Sequence, residues 1–224
     1  STGTRIVKVH VQIEHRQTGQ PVIDAMAEVF VNPPPTKGVM MADLEQMDLE
    51  LDFTGKTVLI TGASRGIGAT TAKLFAHKGA NVVVNYRAGR EDAEAVVDDI
   101  VRHGRKALAV QADVANQREV EAMVQEALKA FHRLDILVNN AVRDASPIPF
   151  EQLTWDTIQQ DLDVTVKGAF HCCRAVIPPM LAQGEGVIIN VSTLYTELPQ
   201  PHLTSYITSK GGLVGLSRAL AAEF

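Results

Sequence analysis

Five short apolar runs alternate with helical patterns from residue 53 to the C-terminus, and this rhythm constrains the fold more than any other feature. The runs occupy residues 57–61, 81–85, 106–110, 135–139 and 186–191. Runs of this kind are typical of strands buried on both faces of a parallel sheet. Apolar residues recur at helical spacing over 93–101 and 120–131, and Asn116 lies three residues before Glu119, as in a capping box. We therefore predict an α/β fold built on a doubly wound parallel sheet.

The N-terminal part has a different period. Apolar and polar residues alternate over 5–14 and again over 25–31, with a polar, Gly-containing stretch between them. This pattern predicts an antiparallel β-hairpin, which three consecutive prolines end. Because an isolated hairpin is marginally stable in water, we expect it to join another sheet. The predicted organisation is a β-hairpin extension at 1–35, a linker at 36–52 and the α/β domain at 53–224.

Both ends of the sequence bear on its completeness. The chain begins with Ser1 rather than Met, and a helix-forming run continues to Phe224 without a Gly, Asn or Pro to stop it. We expect that the natural chain extends further. The α/β domain is then incomplete at its C-terminus.

Composition excludes several classes of protein. The 224 residues carry a net charge of −5 without a cluster of Lys and Arg, so no nucleic-acid partner is predicted. No apolar run reaches the roughly 18 residues that a membrane span needs. Cys172 and Cys173 are adjacent, a spacing that disfavours a disulfide, and we interpret them as buried thiols of a cytoplasmic protein. The histidines lack metal-ligand spacing, so no metal site is predicted, and His171 is assigned to the core.

A glycine-rich turn follows the first apolar run and leads into a helical pattern that ends at Gly79. The turn reads Thr61-Gly62-Ala63-Ser64-Arg65-Gly66-Ile67-Gly68. Glycines allow a tight turn and a close approach of the backbone to a pyrophosphate, while the helix N-terminus offers N–H groups to that anion. We predict a dinucleotide-binding loop. The alternative is a plain glycine-rich connection.

The spacing T-G-x-x-x-G-x-G is the nucleotide-binding signature of the short-chain dehydrogenase/reductase family, which the chain resembles over residues 53–224. The family's other motifs follow in order as Asp113-Val114, Asn139-Asn140-Ala141, Ser192 and Tyr206-x-x-x-Lys210. Within the family, the chain looks most similar to 3-oxoacyl-acyl-carrier-protein reductases. The resemblance implies a Rossmann-like sheet, a nicotinamide cofactor, and a homo-oligomer that forms through helices around Phe170 and Leu216. It also implies that the chain stops before the family's substrate loop.

The loop and the motifs together predict a set of cofactor-binding residues. These are Thr61, Gly62, Ser64, Arg65, Gly66, Ile67, Gly68, Asn85, Arg87, Asp113, Val114, Asn140, Ala141, Tyr206 and Lys210. Charge then indicates which cofactor is preferred. The second strand ends at Asn85, where an NAD-binding fold places a carboxylate, and Arg65 and Arg87 can pair with a 2′-phosphate. NADP(H) is therefore predicted, the alternative being that both arginines are solvated surface charges.

Ser192, Tyr206 and Lys210 form the predicted catalytic set. Tyr206 and Lys210 are four residues apart, so on a helix they share one face. A nearby ammonium favours the phenolate, which predicts a lowered pKa for Tyr206 and makes it a better acid–base group. Ser192 can donate a hydrogen bond to the substrate carbonyl. An exposed Tyr–Lys surface pair is the alternative interpretation.

Two residues depart from the family's motifs. Val142 stands where the family has the Gly of N-N-A-G, and Val cannot adopt a positive φ cheaply. Thr165 holds the place of the family's catalytic Asn in the helix before the fifth strand. A hydroxyl does not reproduce a carboxamide's support of a proton relay, so Thr165 is left out of the catalytic set.

The predicted function is NADPH-dependent reduction of a 3-oxoacyl thioester to a 3-hydroxyacyl thioester, with a small acyl thioester or acyl carrier protein as partner. One alternative keeps the chemistry and changes the substrate to a sugar, a steroid or a small alcohol. Another is a nucleotide-binding partner protein with little turnover, which Val142 and Thr165 would favour. Residues 5–33 also resemble the last two strands of a hotdog-fold hydratase of the MaoC type. The alternative for these residues is an N-terminal extension with no function of its own.

Overall fold

The computed structural model describes residues 51–224 throughout. Before them it describes four strands: β1 (Arg5–His10), β2 (Ile13–Glu14), β3 (Pro21–Ile23) and β4 (Met26–Val31). Strand β1 pairs antiparallel with β4, Arg5 opposite Val31 and His10 opposite Met26, and β2 pairs antiparallel with β3. The predicted antiparallel pairing is therefore present. The hairpin loop, and the linker up to residue 50, lie outside the described residues, and the hotdog resemblance stays a prediction.

The α/β part contains a five-stranded parallel sheet in the order β7-β6-β5-β8-β9. Its strands are β5 (Thr57–Ile60), β6 (Asn81–Tyr86), β7 (Ala107–Gln111), β8 (Ile136–Asn139) and β9 (Val187–Asn190). Each of the five predicted runs forms one of these strands, which confirms the doubly wound fold. The chain builds outward from β5 to β7 and then returns to the other side of β5 with β8. In such sheets the crevice at this reversal is where ligands bind.

Within residues 51–224, six α-helices and one π-helical turn connect and flank these strands. They are α1 (Gly66–His77), α2 (Arg90–Arg102), α3 (Gln117–Phe131), α4 (Trp155–Leu162), the π turn (Asp163–Lys167), α5 (Gly168–Gln183) and α6 (Thr204–Glu223). Helix α3 begins as predicted, because the Asn116 side chain accepts a hydrogen bond from the backbone N–H of Arg118. Glu119 accepts hydrogen bonds from the Asn116 amide and from the backbone N–H of Asp113, which secures the same turn.

Alternate residues of the sheet face two separate apolar layers. Leu59 and Val83 belong to the layer that includes α3 and α5, whereas Val58 and Val82 belong to the layer that includes α1 and α2. Successive side chains of a strand point to opposite faces, so continuous apolar runs fill both layers. Cys172 and Cys173 are free and buried in the first layer, as predicted. Within the described residues, no helix is long and apolar enough to cross a membrane.

Candidate active site

A cleft of about 680 Å³ lies at the carboxyl end of the sheet. It is lined by the glycine loop, by residues 85–89 at the end of β6 and after it, by residues 112–114 after β7, and by residues 140–146 after β8. Residues 202, 203, 205 and 206, around the start of α6, complete this part of the lining. The chain reverses direction between β5 and β8, so the cleft lies at the predicted ligand-binding edge.

The glycine loop has a backbone that side chains would not tolerate. Gly62 and Gly66 adopt φ values of +62° and +57°, which favour glycine. A Cβ on Gly68 would lie 2.5 Å from the carbonyl oxygen of Gly62. Arg65, the residue before α1, makes no side-chain capping bond to the helix. The start of α1 therefore receives no cap from the side chain of its own N-terminal residue, as expected of a phosphate-binding helix.

The glycine loop is tied across the reversal to the segment after β8. The Thr61 hydroxyl oxygen accepts hydrogen bonds from the backbone N–H groups of Asn140 (2.9 Å) and Ala141 (3.0 Å). The Asn140 amide donates in return to the carbonyl oxygens of Thr61 (2.9 Å) and Gly62 (3.1 Å). These bonds hold the two loops at fixed separation before any ligand binds.

Asn85 is buried, and its amide is committed to the protein. Its Oδ1 accepts from the Gly62 N–H at 3.2 Å, and its Nδ2 donates to the Ala112 carbonyl at 3.0 Å. Two arginines differ from it in their exposure. Arg65 is exposed, and the Arg87 side chain is 67% exposed with Nη1 4.0 Å from a carboxylate oxygen of Asp113. Asn85 therefore braces the loop, while the arginines remain accessible to a ligand.

Tyr206 and Lys210 lie on α6, and the two side chains have different environments. Tyr206 lines the cleft, whereas Lys210 is only 2% exposed and its Nζ donates to the carbonyl oxygen of Val191. The Lys210 Nζ is 5.9 Å from the centre of the Tyr206 ring. Burial, which disfavours the ammonium, lowers the pKa of Lys210 to about 8.

The predicted lowering of the Tyr206 pKa is wrong for this structure. Burial raises that pKa, and a hydrogen bond with the Thr193 side chain offsets part of the effect. The ammonium of Lys210 is bonded to a backbone carbonyl, and Lys210 is not among the groups that lower the pKa of Tyr206. Thr193 is a neighbour of Tyr206 that the motifs alone do not identify.

Ser192 follows β9, and its hydroxyl is not on the cleft surface. The Oγ atom is shielded from solvent and has no hydrogen-bond partner among residues 51–224. Such a group is costly to bury, by about 1–3 kcal/mol, unless something else bonds to it. The structure thus places Tyr206 on the cleft lining and Ser192 outside it.

The two departures from the family's motifs have different outcomes. Among non-glycine residues of 51–224, only His132 and His202 have positive φ. Val142 therefore does not adopt the left-handed conformation that would strain a valine at the family's Gly position. Its side chain is 48% exposed on the cleft wall. Thr165 is buried in the π turn, and its hydroxyl lacks a hydrogen-bond partner within the described part of the chain. The sequence predicted a helix there, and a π turn interrupts it.

One polar cluster on the cleft was not predicted. Asp161 of α4 bonds both to Arg143, which follows β8, and to Ser205, which directly precedes Tyr206. All three residues line the cleft. Ser205 could have been noticed as a neighbour of the motif tyrosine, but nothing in the sequence links Asp161 to it, because 44 residues separate the two.

Comparison with known proteins identifies the family. The family model described as short chain dehydrogenase matches residues 56–224. The chain belongs to the short-chain dehydrogenase family. It is accordingly an oxidoreductase that uses a nicotinamide cofactor, as the glycine loop and the cleft predict.

Individual relatives carry names that point to different substrates. The 3-oxoacyl-acyl-carrier-protein reductase FabG of Staphylococcus aureus is 41% identical over 170 residues, which are 75% of this chain and 68% of the relative. The 3beta-hydroxysteroid dehydrogenase 1 of Eggerthella lenta is 40% identical over 77% of this chain and 66% of its own length.

Two solved structures show the same agreement in fold. An NADP complex of a metagenomic short-chain oxidoreductase is 34% identical with a TM-score of 0.71, over 76% of each chain. An NAD⁺-bound xylitol dehydrogenase is 30% identical with a TM-score of 0.72, over 76% of this chain and 65% of that one.

Proposed function

We propose that the protein reduces 3-oxoacyl thioesters to 3-hydroxyacyl thioesters with NADPH. The observation that carries the reductase chemistry is the position of Tyr206, which lines the same cleft as the glycine loop and lies one helical turn from buried Lys210. The thioester substrate rests on the 41% identity to a 3-oxoacyl-acyl-carrier-protein reductase. An acyl carrier protein or another acyl thioester is the corresponding partner.

The cleft fits a nicotinamide dinucleotide, because Gly62, Gly66 and Gly68 leave a cradle that a Cβ would strain or fill. The residues that would hold it are the glycine loop, Arg65, Arg87 and the segment after β8. When bound, the cofactor supplies the hydride.

The protein's own residues handle the proton and the orientation of the carbonyl. The Tyr206 hydroxyl donates its proton to the carbonyl oxygen as that oxygen gains charge, so that ketone, hydride and proton together give the alcohol. Ser192 donates a hydrogen bond to the same oxygen, which would give its unpartnered hydroxyl a partner. The ammonium of Lys210 stabilises the tyrosinate left after proton transfer.

The preference for NADPH follows from charge. Asn85 stands at the end of β6 in place of a carboxylate, and Arg65 and Arg87 are exposed beside it. A guanidinium that pairs with the 2′-phosphate contributes about 1.5–3 kcal/mol, or roughly 10- to 100-fold in affinity.

Arg65→Ala and Arg87→Ala should raise the Kd for NADPH by that factor and leave the Kd for NADH unchanged. Arg90→Ala is the control, since Arg90 is equally exposed and pairs with Glu94 outside the cleft.

A substrate panel tests the reaction. Purified protein should oxidise NADPH with acetoacetyl thioesters faster than with 3-ketosteroids, sugars or small ketones. The steroid is the second candidate substrate, because the Eggerthella lenta relative is 40% identical. Faster turnover of the steroid would replace the thioester proposal. NADPH binding without turnover of any carbonyl would instead support a nucleotide-binding partner protein.

A further inference from the structure

Helix α6, which carries Tyr206 and Lys210, begins without a cap of its own. The residue before it is Leu203, which makes no side-chain capping bond. One residue earlier, His202 has a φ of +64°, a left-handed conformation that costs a non-glycine residue energy. The start of α6 therefore depends on partners from elsewhere in the chain.

Ser205 supplies the connection to such a partner. It is 7% exposed, and its hydroxyl bonds to a carboxylate oxygen of Asp161 and lies 3.3 Å from the carbonyl oxygen of Thr157. Both partners belong to α4, which packs against α6. A carboxylate beside the first turn of a helix also complements the positive end of the helix dipole. Asp161 thus holds the turn in which Tyr206 lies.

The other carboxylate oxygen of Asp161 bonds to a residue on the opposite wall of the cleft. It accepts a hydrogen bond of 3.0 Å from Arg143, and the Asp161 side chain is only 13% exposed. Arg143 follows Asn140 and Ala141, which are bonded to the glycine loop. A backbone hydrogen bond from Ile148 to His202 (2.7 Å) joins the same two segments a second time.

Resting on the proposed function, we propose that Asp161 is a positioning residue that sets the place of the Tyr206 hydroxyl through Ser205, with Arg143 as its counter-charge. The Arg143–Asp161–Ser205 bridge links the wall next to the cofactor loop with the helix that delivers the proton. Its effect falls on catalysis rather than on cofactor binding, because it contacts α6 and leaves the glycine loop's own bonds intact. Small displacements of an acid–base group are costly in rate.

The kinetic test removes each half of the bridge in the full chain. Asp161→Ala should lower kcat by about 10- to 100-fold and leave the Kd for the nicotinamide cofactor within about threefold. Ser205→Ala should lower kcat as well, and the double variant should be no worse than Asp161→Ala, since both act along one path. Gln160→Ala, an exposed neighbour on α4, is the matched control and should retain wild-type kcat. Unchanged kcat in Asp161→Ala, or effects of the two substitutions that multiply, would overturn the proposal.

A spectroscopic test separates this proposal from the proposed function. The chain has three tyrosines, so 3-fluorotyrosine labelling gives three ¹⁹F signals, and Tyr206→Phe assigns one of them. Asp161→Ala and Ser205→Ala should shift that signal, and Gln160→Ala should not. An unshifted signal overturns the proposal, even where the wild type reduces no carbonyl and the proposed function itself fails. If Asp161→Ala does not fold, Ser205→Ala and Arg143→Met are judged by the same kcat and ¹⁹F criteria.

Discussion

The two halves of the cleft differ in how their polar groups are satisfied. In the nucleotide half, the side chains of Thr61, Asn85 and Asn140 all form hydrogen bonds with the protein's own backbone. Behind the lining of the catalytic half, where Tyr206 lies, the hydroxyl of Ser192 has no partner within the described residues. The ammonium of Lys210 is buried there with a depressed pKa. The binding loop is thus built before the ligand arrives, while the catalytic groups carry an electrostatic cost that a ligand can offset.

The largest effect expected in the catalytic half is that of Tyr206→Phe. Loss of the proton donor should lower kcat by about 10³-fold, within the usual range for a general acid, and leave cofactor affinity unchanged. Steady-state kinetics and fluorescence titration with NADPH measure the two quantities. Tyr195→Phe is the control, because Tyr195 is near Tyr206 and outside the cleft lining. Full activity in Tyr206→Phe would remove the tyrosine from the mechanism.

Ser192→Ala is expected to have the next largest effect. It should lower kcat by about 10²-fold, as loss of one oxyanion donor does. The free energy of unfolding should not fall, because the hydroxyl has no partner to lose within residues 51–224. Ser217→Ala is the matched variant for which we expect the reverse result, a loss of stability without a loss of kcat. The Ser217 hydroxyl accepts from Asn190 and donates to the Leu213 carbonyl, so its loss should cost about 1–3 kcal/mol of stability and spare kcat. Urea unfolding monitors stability, and a destabilised Ser192→Ala would contradict the comparison.

Asn85→Ala tests the nucleotide half. It leaves the Gly62 N–H and the Ala112 carbonyl without their partner, so we expect about 2 kcal/mol of lost stability and a roughly 30-fold weaker Kd for NADPH. The kcat at saturating cofactor should not change, because Asn85 braces the loop and is remote from the proton transfer. Gln125→Ala, at an exposed position on α3, is the control. A lowered kcat with unchanged Kd would contradict the bracing role.

The smallest expected effect is on pH dependence. Burial lowers the pKa of Lys210 from 10.5 to about 8, so the ammonium is present below that pH and is lost as pH rises through it. The reductase rate should therefore fall about tenfold between pH 7 and 9. The free energy of unfolding has the opposite pH dependence. Between pH 8 and 10.5 the unfolded lysine binds more protons than the folded one, so the contribution of Lys210 to stability increases as pH rises. Lys210→Arg, which keeps its charge, should flatten the rate profile, and a midpoint near 10 would contradict the predicted role of burial.

The fold was predictable because its signal is local. Each buried strand is a continuous apolar run, and the helical patterns over 93–101 and 120–131 lie within α2 and α3. The alternation of strands and helices therefore followed from the sequence. The glycine loop was equally readable, since the chain needs a Cβ-free residue where Gly68 meets the Gly62 carbonyl. The π turn at Thr165 was not, because a single extra residue in a helical turn leaves no periodic trace.

The sequence by itself determined the layered α/β fold, and it predicted the nucleotide loop and the catalytic set Ser192, Tyr206 and Lys210, because these depend on residue type and spacing. The tertiary structure decided what those residues experience. It buries Lys210 and partly buries Tyr206, so the pKa of the tyrosine rises where the motif alone predicted a fall. It commits Asn85 to the backbone and brings Asp161 to Ser205 across 44 residues. Burial and long-range contact arise only when distant segments pack, and no spacing along the chain encodes them.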